Sequence, residues 1–386
     1  MYRPITEISF EQITQITGEV ARNLKFTFNF VNEFSATDTW IDLTNQAKIT
    51  FPKNIYVKDQ KTGNLIPMGG TQPNLQIKNL FLRGDKVKIS YGYWLEDGNS
   101  SVTQVFDGFI SAVTSKKPIQ LECEDNMWAL KQIPCKRQVW PKEKSLEDLL
   151  IYLLNGTPYT VNTTSIVSIG SFIIENESVA QLLSRLRKEY HIESYFRGTE
   201  LRVGLKPYIL SEARTSTFIF QQNIISDQLE FKRKGDIKLS AVVQSINTIA
   251  GGYNKQGEEK TKKEHLTVLV YNDASGVFKS IVKKKGEDLP ANVEGERRTL
   301  YFPNVTSTDK LAELGIQELQ KYYYEGFTGK FTTFAYPYVR LGDHVVIKDL
   351  KMPDRDGTYL VRGVEYTGGI NGHRQIIHLD YKYIKI

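Results

Sequence analysis

Residues 340–364 read RLGDHVVIKDLKMPDRDGTYLVRGV, and residues 82–113 read LRGDKVKISYGYWLEDGNSSVTQVFDGFISAV. Both stretches pass through Gly-Asp, an alternating apolar run, a polar excursion, then Asp-Gly and a second apolar run closing on Val. In the first, Gly84-Asp85 precedes Val87, Ile89 and Tyr91 at alternate positions; in the second, Gly342-Asp343 precedes Val345 and Ile347 in the same phase. Glycine takes the positive φ of a tight turn, aspartate accepts hydrogen bonds from nearby turn amides, and alternation buries one face of the strand that follows. Asp107-Gly108 and Asp356-Gly357 are then expected to start the returning strand in each copy, so that each copy forms a hairpin wall of a β-barrel. A third Gly-Asp, Gly235-Asp236, is followed by Ile237 and Leu239 one position out of phase, with no Asp-Gly return. Two readings stay open at this point: a true duplication, or the recurrence of ordinary hairpin chemistry.

The rest of the chain extends the β pattern and interrupts it twice. Before residue 125 the segments LKFTFNF, KVKIS and PIQLEC alternate, with turn signals at Thr62-Gly63, Gly69-Gly70 and Asp97-Gly98. In KSLEDLLIYLLNG, Ser145 and Asp148 have capping-box spacing, Leu146, Leu149, Leu150 and Leu153 share one helical stripe, and Asn155-Gly156 ends it. Ser178 and Gln181 repeat the device ahead of Val179, Leu182, Leu183, Leu186 and Tyr190, and two short strands follow around Arg197-Gly198. A third helix is expected over Asp309–Tyr324, ending at Gly326. The stretches GGYNKQGEEKTKKEH and KKKGEDLPANVEGERR read as solvated loops.

A chain of 386 residues is long for one core. With 40% hydrophobic and 24% charged residues it has an ordinary globular composition, and 21 Tyr and 19 Phe beside many Val, Ile and Thr runs favour β structure. The fold class is therefore mainly β with α+β insertions, and the region before residue 125 reads as an antiparallel sandwich or barrel. The formal charge of +6 is diffuse and describes a mildly basic surface. The N-terminal segment has neither the basic start nor the apolar run of a signal peptide, and Leu149–Leu154 is too short to cross a bilayer, so assembly in a cytoplasm without membrane insertion is expected. Cys123 and Cys135 read as free buried thiols.

Chemistry-bearing patterns are sparse. There is no Gly-rich phosphate loop, no Gly-x-Ser-x-Gly and no His-Glu-x-x-His, and His191, His265, His344, His373 and His378 lack ligand spacing. Glu122 and Glu124 share a strand face beside Asp125, the most enzyme-like cluster, although an exposed strand face is the ordinary home of such residues. Arg83-Gly84-Asp85 spells an adhesion tripeptide better explained as a turn. The basic runs Lys260–Lys263 and Lys283–Lys285 are candidates to line a DNA-passing channel, with solvated loops the simpler reading and no interleaved aromatics for strand stacking. No catalytic, cofactor-binding or metal residue is assigned, and no cofactor. The residues singled out are the turn formers Gly84, Asp85, Asp107, Gly108, Gly342, Asp343, Asp356 and Gly357.

The order of these parts carries a resemblance. A β region ending VFDGFISAV and PIQLECEDNMWALKQ, then SVAQLLSRLRKEYHIESYFRGTELRVG, then YPYVRLGDHVVIKD and DGTYLVRGVEYTGGINGHRQIIHL, resembles the baseplate hub proteins of contractile phage tails and the hub region of type VI secretion spike proteins. The resemblance spans about Lys25 to the C-terminus. It implies a homotrimer in which two similar barrels per chain alternate around a ring, adapting a sixfold tail tube to a threefold spike, located in a virion tail baseplate. The partners implied are tube protein and spike protein. On it, residues 1–125 form the first barrel, 126–205 a small α+β domain, 206–240 with 327–386 a split second barrel, and 241–326 an inserted α+β domain. Type VI spikes usually continue into a needle after the hub, whereas this sequence stops where the second barrel closes, which favours the phage-type hub over a type VI or extracellular injection hub. A carbohydrate-binding or degrading protein is the rival of another class; it needs coplanar exposed aromatics, and Trp94, Trp128 and Trp140 fall in different expected elements.

Overall fold

The computed structural model describes all residues except 1–2, 16–21, 53–55, 59–64, 68–79, 96–97, 115–117, 142, 164–171, 191, 206–212, 254–258, 285, 292, 294, 303–304 and 384–386. The turn signals at Thr62-Gly63 and Gly69-Gly70 lie outside the described residues, as does Asp97. The N-terminal region holds β1 (Arg3–Glu11), β2 (Lys25–Phe28), β3 (Glu33–Thr39), β4 (Gln46–Thr50), β5 (Tyr56–Lys58), β6 (Leu65–Pro67), β7 (Lys86–Trp94), β8 (Thr103–Val113) and β9 (Gln120–Asp125). A helical section follows with α1 (Met127–Lys131), β10 (Gln138–Trp140), α2 (Leu146–Leu154), β11 (Thr160–Asn162), β12 (Phe172–Ile174), α3 (Val179–Tyr190), β13 (Ile192–Arg197) and β14 (Glu200–Leu205). Then come β15 (Thr215–Ile219), β16 (Ile224–Lys232), β17 (Leu239–Tyr253), β18 (Glu259–Asn272), β19 (Phe278–Val282), β20 (Glu296–Tyr301) and α4 (Thr308–Gln320). The chain closes with β21 (Gly326–Phe334), β22 (His344–Lys348), β23 (Gly357–Gly369) and β24 (Arg374–Lys382).

The fold is mainly β. The expected barrels do not stand apart: one 13-stranded sheet runs β16-β21-β24-β23-β3-β4-β9-β8-β7-β1-β2, with β22 on β23 and β15 on β22. The cause is a difference in strand length. β22 pairs with β23 only over Gly357–Leu360, leaving the later half of β23 to pair antiparallel with β3, from Gly363 opposite Thr39 to Gly369 opposite Glu33. Beneath this sheet one apolar cluster joins residues from both ends of the chain, among them Ile8, Phe34, Ile49, Tyr91, Phe218, Tyr359 and Tyr366.

Two smaller cores sit beside it. Leu146, Leu149, Leu150, Leu182, Leu183, Leu186, Leu201 and Val203 pack in one, where α2 and α3 meet the strands β13 and β14. Both helices start as the sequence spacing requires. Ser145 Oγ accepts from the Asp148 amide while Asp148 Oδ2 accepts from the Ser145 amide at 2.9 Å, and Gln181 Oε1 accepts from the Ser178 amide at 2.8 Å. The other core buries Ala241, Val243, Val268, Val270, Leu311 and Leu319, where α4 covers the β17–β18 hairpin.

Two element expectations are corrected. Most of GGYNKQGEEKTKKEH is not loop: β17 runs to Tyr253 and β18 starts at Glu259, with 254–258 outside the described residues. β20 pairs with β17 only up to Gln244 and β19 with β18 only from Val268, so among the described residues the far part of the hairpin pairs only with itself, and residues 251–265 carry no apolar alternation to signal a strand. The third helix ends at Gln320, before the expected Tyr324, because Tyr322 and Tyr324 turn into the core instead.

Candidate functional site

The paired Gly-Asp turns are the most specific local feature that the two ends of the chain share. Gly84 has φ +94° and Gly342 φ +82°, a region that residues with a side chain rarely adopt. In the first turn the Gly84 amide donates to Ile110 O at 2.7 Å, Asp85 N to Leu82 O at 3.1 Å, and Ile110 N to Asp85 O at 2.9 Å. In the second, Gly342 N donates to Val361 O at 3.0 Å, Asp343 N to Arg340 O at 3.1 Å, and Val361 N to Asp343 O at 2.9 Å. The carboxylates act alike. Asp85 Oδ2 accepts from Leu82 N at 2.9 Å and Asp343 Oδ2 from Arg340 N at 3.1 Å, each closing its own turn. The other oxygen reaches the neighbouring segment, Asp85 Oδ1 taking the amides of Ile13 and Thr14, and Asp343 Oδ1 that of Arg214.

The likeness extends into the strands. β3-β4-β9-β8-β7 and β16-β21-β24-β23-β22 follow the same order, antiparallel at every step. A register shift falls between Ile110 and Ala112 in one and between Val361 and Gly363 in the other, at the residue that bonds the Gly-Asp turn. Beyond the shared strands the halves part: β1 lies antiparallel to β7, but β15 lies parallel to β22.

The Asp-Gly pairs require a correction. Asp356-Gly357 does open β23, but Asp107-Gly108 lies inside β8, which begins at Thr103. Val87 faces Gly108 while Val345 faces Tyr359, so the register matches Gly108 with Tyr359 and not with Gly357. Gly108 serves packing: a Cβ there would lie 2.1 Å from Glu124 O.

The adhesion tripeptide is closed off. Asp85 is 1% exposed and its carboxylate is held by the Arg22 guanidinium, with Nη2 at 2.6 Å and Nη1 at 3.1 Å. In the Glu122–Asp125 cluster, Glu122 is exposed opposite Lys48, and Glu124 pairs with Lys131 at 2.5 Å. Asp125 is buried, accepts from the amides of Asn45 and Met127, and burial pushes its carboxyl up to about 7. These are a cross-strand pair, an ion pair and a helix-starting carboxylate. Among the described residues no group of three or more His, Cys, Asp and Glu is placed to hold a metal ion. Cys123 and Cys135 are free and buried, and burial pushes the Cys135 thiol up to about 11. Trp94 is exposed, Trp128 stacks on Phe109 and Trp140 is buried, which makes no flat aromatic platform of these three. Lys283 and Lys284 are exposed after β19, and the side chains of Lys260–Lys263 and Lys285 lie outside the described residues. Among the described residues no helix is long and apolar enough to cross a membrane.

Residues that local sequence did not single out join the two halves. His373 Nε2 lies 2.8 Å from Thr6 Oγ1 and Nδ1 lies 3.0 Å from Gly92 O, while Tyr93 OH donates to His373 O at 3.0 Å. Asp38 Oδ2 accepts from Leu341 N at 3.1 Å and Arg197 Nη2 donates to Leu341 O at 2.7 Å, so β3 and β13 both grip the second Gly-Asp turn. Burial raises the Asp38 carboxyl above its usual value, and Arg197 opposes the rise.

No family model matches the chain, and no curated protein matches its sequence. Solved structures do match. The tail protein from Neisseria meningitidis MC58 aligns over 99% of this chain and 97% of its own at 13% identity with a TM-score of 0.55. The prophage MuSo2 43 kDa tail protein from Shewanella oneidensis aligns over 98% of both chains at 12% identity with a TM-score of 0.52. The chain thus has the fold of phage tail proteins along nearly its whole length. At such identities the likeness is one of fold.

Proposed function

We propose that this chain is the structural hub of a phage or prophage tail baseplate, acting without catalysis or cofactor. Three copies form a ring that joins a sixfold tail tube above to a threefold spike below, in the baseplate of a virion. The observation that carries the reading is the internal repeat: one chain holds the same five-stranded arrangement twice, with the same turn and the same bulge. A chain with two near-equal units, repeated three times about an axis, offers six near-equal faces to one partner while keeping threefold symmetry for another. The fold shared with tail proteins supports the same reading. On it the second unit is split into residues 206–240 and 327–386, and the change of buried cluster near Ile237 and Tyr324 supports that division.

Light scattering and electron microscopy of the protein, alone and with its spike partner, test the proposal. A trimer, alone or on the spike, is expected. A persistent monomer, dimer or tetramer in the presence of the spike refutes the ring.

A further inference from the structure

The two matched units are used unequally. In the first, β3 is an interior strand, with β4 on one side and β23 on the other, and it buries Phe34 and Ala36. Its counterpart β16 has β21 on one side and, among the described residues, no strand on the other. Asp227, Gln228, Glu230 and Lys232 on β16 are all exposed. The mating surface shows the same imbalance. On β23, the edge beyond Val361 is filled by β3. On its counterpart β8, pairing with β7 stops at Phe109 and the Gly84-Asp85 turn takes Ile110, so no described strand flanks Ala112–Thr114 on that side. Each chain therefore carries one completed contact, β3 on β23, and the two unmatched halves of a second contact of the same kind. β16 and β8 stand seven strand positions apart in the sheet order, about 30 Å measured along it. A second copy of the chain is the occupant whose shape fits each free edge, and a free edge strand left uncovered is a site of uncontrolled pairing.

We infer that β16 of one copy pairs antiparallel with the edge Ala112–Thr114, the end of β8 and the residue after it, in the next, extending the sheet from subunit to subunit. The register transfers from the contact within the chain. The shared bulge matches Ala112, Val113 and Thr114 with Gly363, Val364 and Glu365. The ladders through β4 and β21 match Asp227 with Phe34, hence Glu230 with Thr37, Phe231 with Asp38 and Lys232 with Thr39. Because Thr37 faces Glu365, Asp38 faces Val364 and Thr39 faces Gly363, the new pairs are Glu230 with Thr114, Phe231 with Val113 and Lys232 with Ala112 of the neighbouring copy. The contact joins different surfaces of the two copies, so repetition either closes a ring or runs on as a filament. The inference rests on the ring reading and adds which strands make the joint.

Cysteines introduced together as Glu230→Cys and Thr114→Cys test it, since both native cysteines are buried. Oxidation is expected to give a covalent trimer on a non-reducing gel. Either substitution alone, or Gln228→Cys with Thr114→Cys, which is two residues out of register, is expected to give none. Thr37→Cys with Glu365→Cys is the control and should close within one chain. A trimer by light scattering that stays unlinked overturns the strand pairing and leaves the ring standing. A linked ladder without a preferred size upholds the pairing and overturns the closed ring. A chain that stays monomeric and unlinked at its highest soluble concentration overturns both.

Discussion

The carboxylate of Asp85 is held out of water by the Arg22 guanidinium and by the amides of Ile13, Thr14 and Leu82, whereas Asp343 receives the amides of Arg214 and Arg340 with the Arg340 side chain 3.6 Å away and partly exposed. Deleting one member of a buried ion pair strands the other charge. Asp85→Ala is therefore expected to cost about 3–5 kcal/mol. Asp343→Ala loses hydrogen bonds to amides and is expected to cost about 1–3 kcal/mol. Urea unfolding of the two variants measures the difference; equal losses would contradict the role given to Arg22. His373 supplies a pH-dependent share of stability. Burial lowers its pKa below the ordinary value, against the opposing pull of the Gly92 carbonyl. The unfolded chain then takes up a proton near pH 6.5 that the folded chain refuses until the pH is lower. This share is whole above about pH 6.5 and is lost as pH falls through the folded value. The stability difference between wild type and His373→Gln should be flat above about pH 6.5 and shrink below it; a difference that grew on acidification would show the sign to be wrong.

Among the elements, those whose ends are decided by neighbouring residues were legible. The capping boxes at Ser145 and Ser178 and the leucine stripes behind them place α2 and α3 because a helix N-terminus is satisfied by side chains three residues away. The five-residue α1 left no period to read, since its starting signal is the side chain of Asp125, itself the last residue of β9. The far part of the β17–β18 hairpin reads as loop in the sequence because residues 251–265 carry no apolar alternation. Helix α4 offers a test in which propensity and packing disagree. Gly315→Ala would gain about 1 kcal/mol of helix propensity in isolation. Here the added methyl would stand 2.5 Å from Val243 Cγ2 and 3.2 Å from Val270 Cγ2. The variant is expected to be less stable by about 1–3 kcal/mol, and Val243→Ala in the same chain should recover part of the loss. Thermal unfolding showing Gly315→Ala more stable than wild type would mean that α4 packs less closely on the hairpin.

At the scale of the molecule, the single sheet and its shared apolar cluster make the two matched units one cooperative body, while α4 with β17 and β18 has a core of its own. Native-state hydrogen exchange should therefore give β3, β4, β9, β23 and β24 a common opening free energy, with the central amides of β17 and β18 opening separately at a lower one. Exchange in which β3 and β4 opened well below β23 and β24 would show that the β3–β23 contact does not couple the units. Sequence alone determined what depends on near neighbours. The turns at Gly84 and Gly342, the phase of Val87 and Ile89 against Val345 and Ile347, the helix starts and the mainly β class all follow from side-chain chemistry within a few residues of each backbone group. Only the tertiary structure decided that β3 lies on β23, some 330 residues further along the chain, that His373 reaches Thr6 and Gly92, and that Asp107-Gly108 sits within a strand. The physical reason is that alternation says which face of a strand is buried and nothing about which edge meets which. An edge offers only repeating backbone donors and acceptors, so its partner is chosen by strand length, by bulges and by the packing of the whole core.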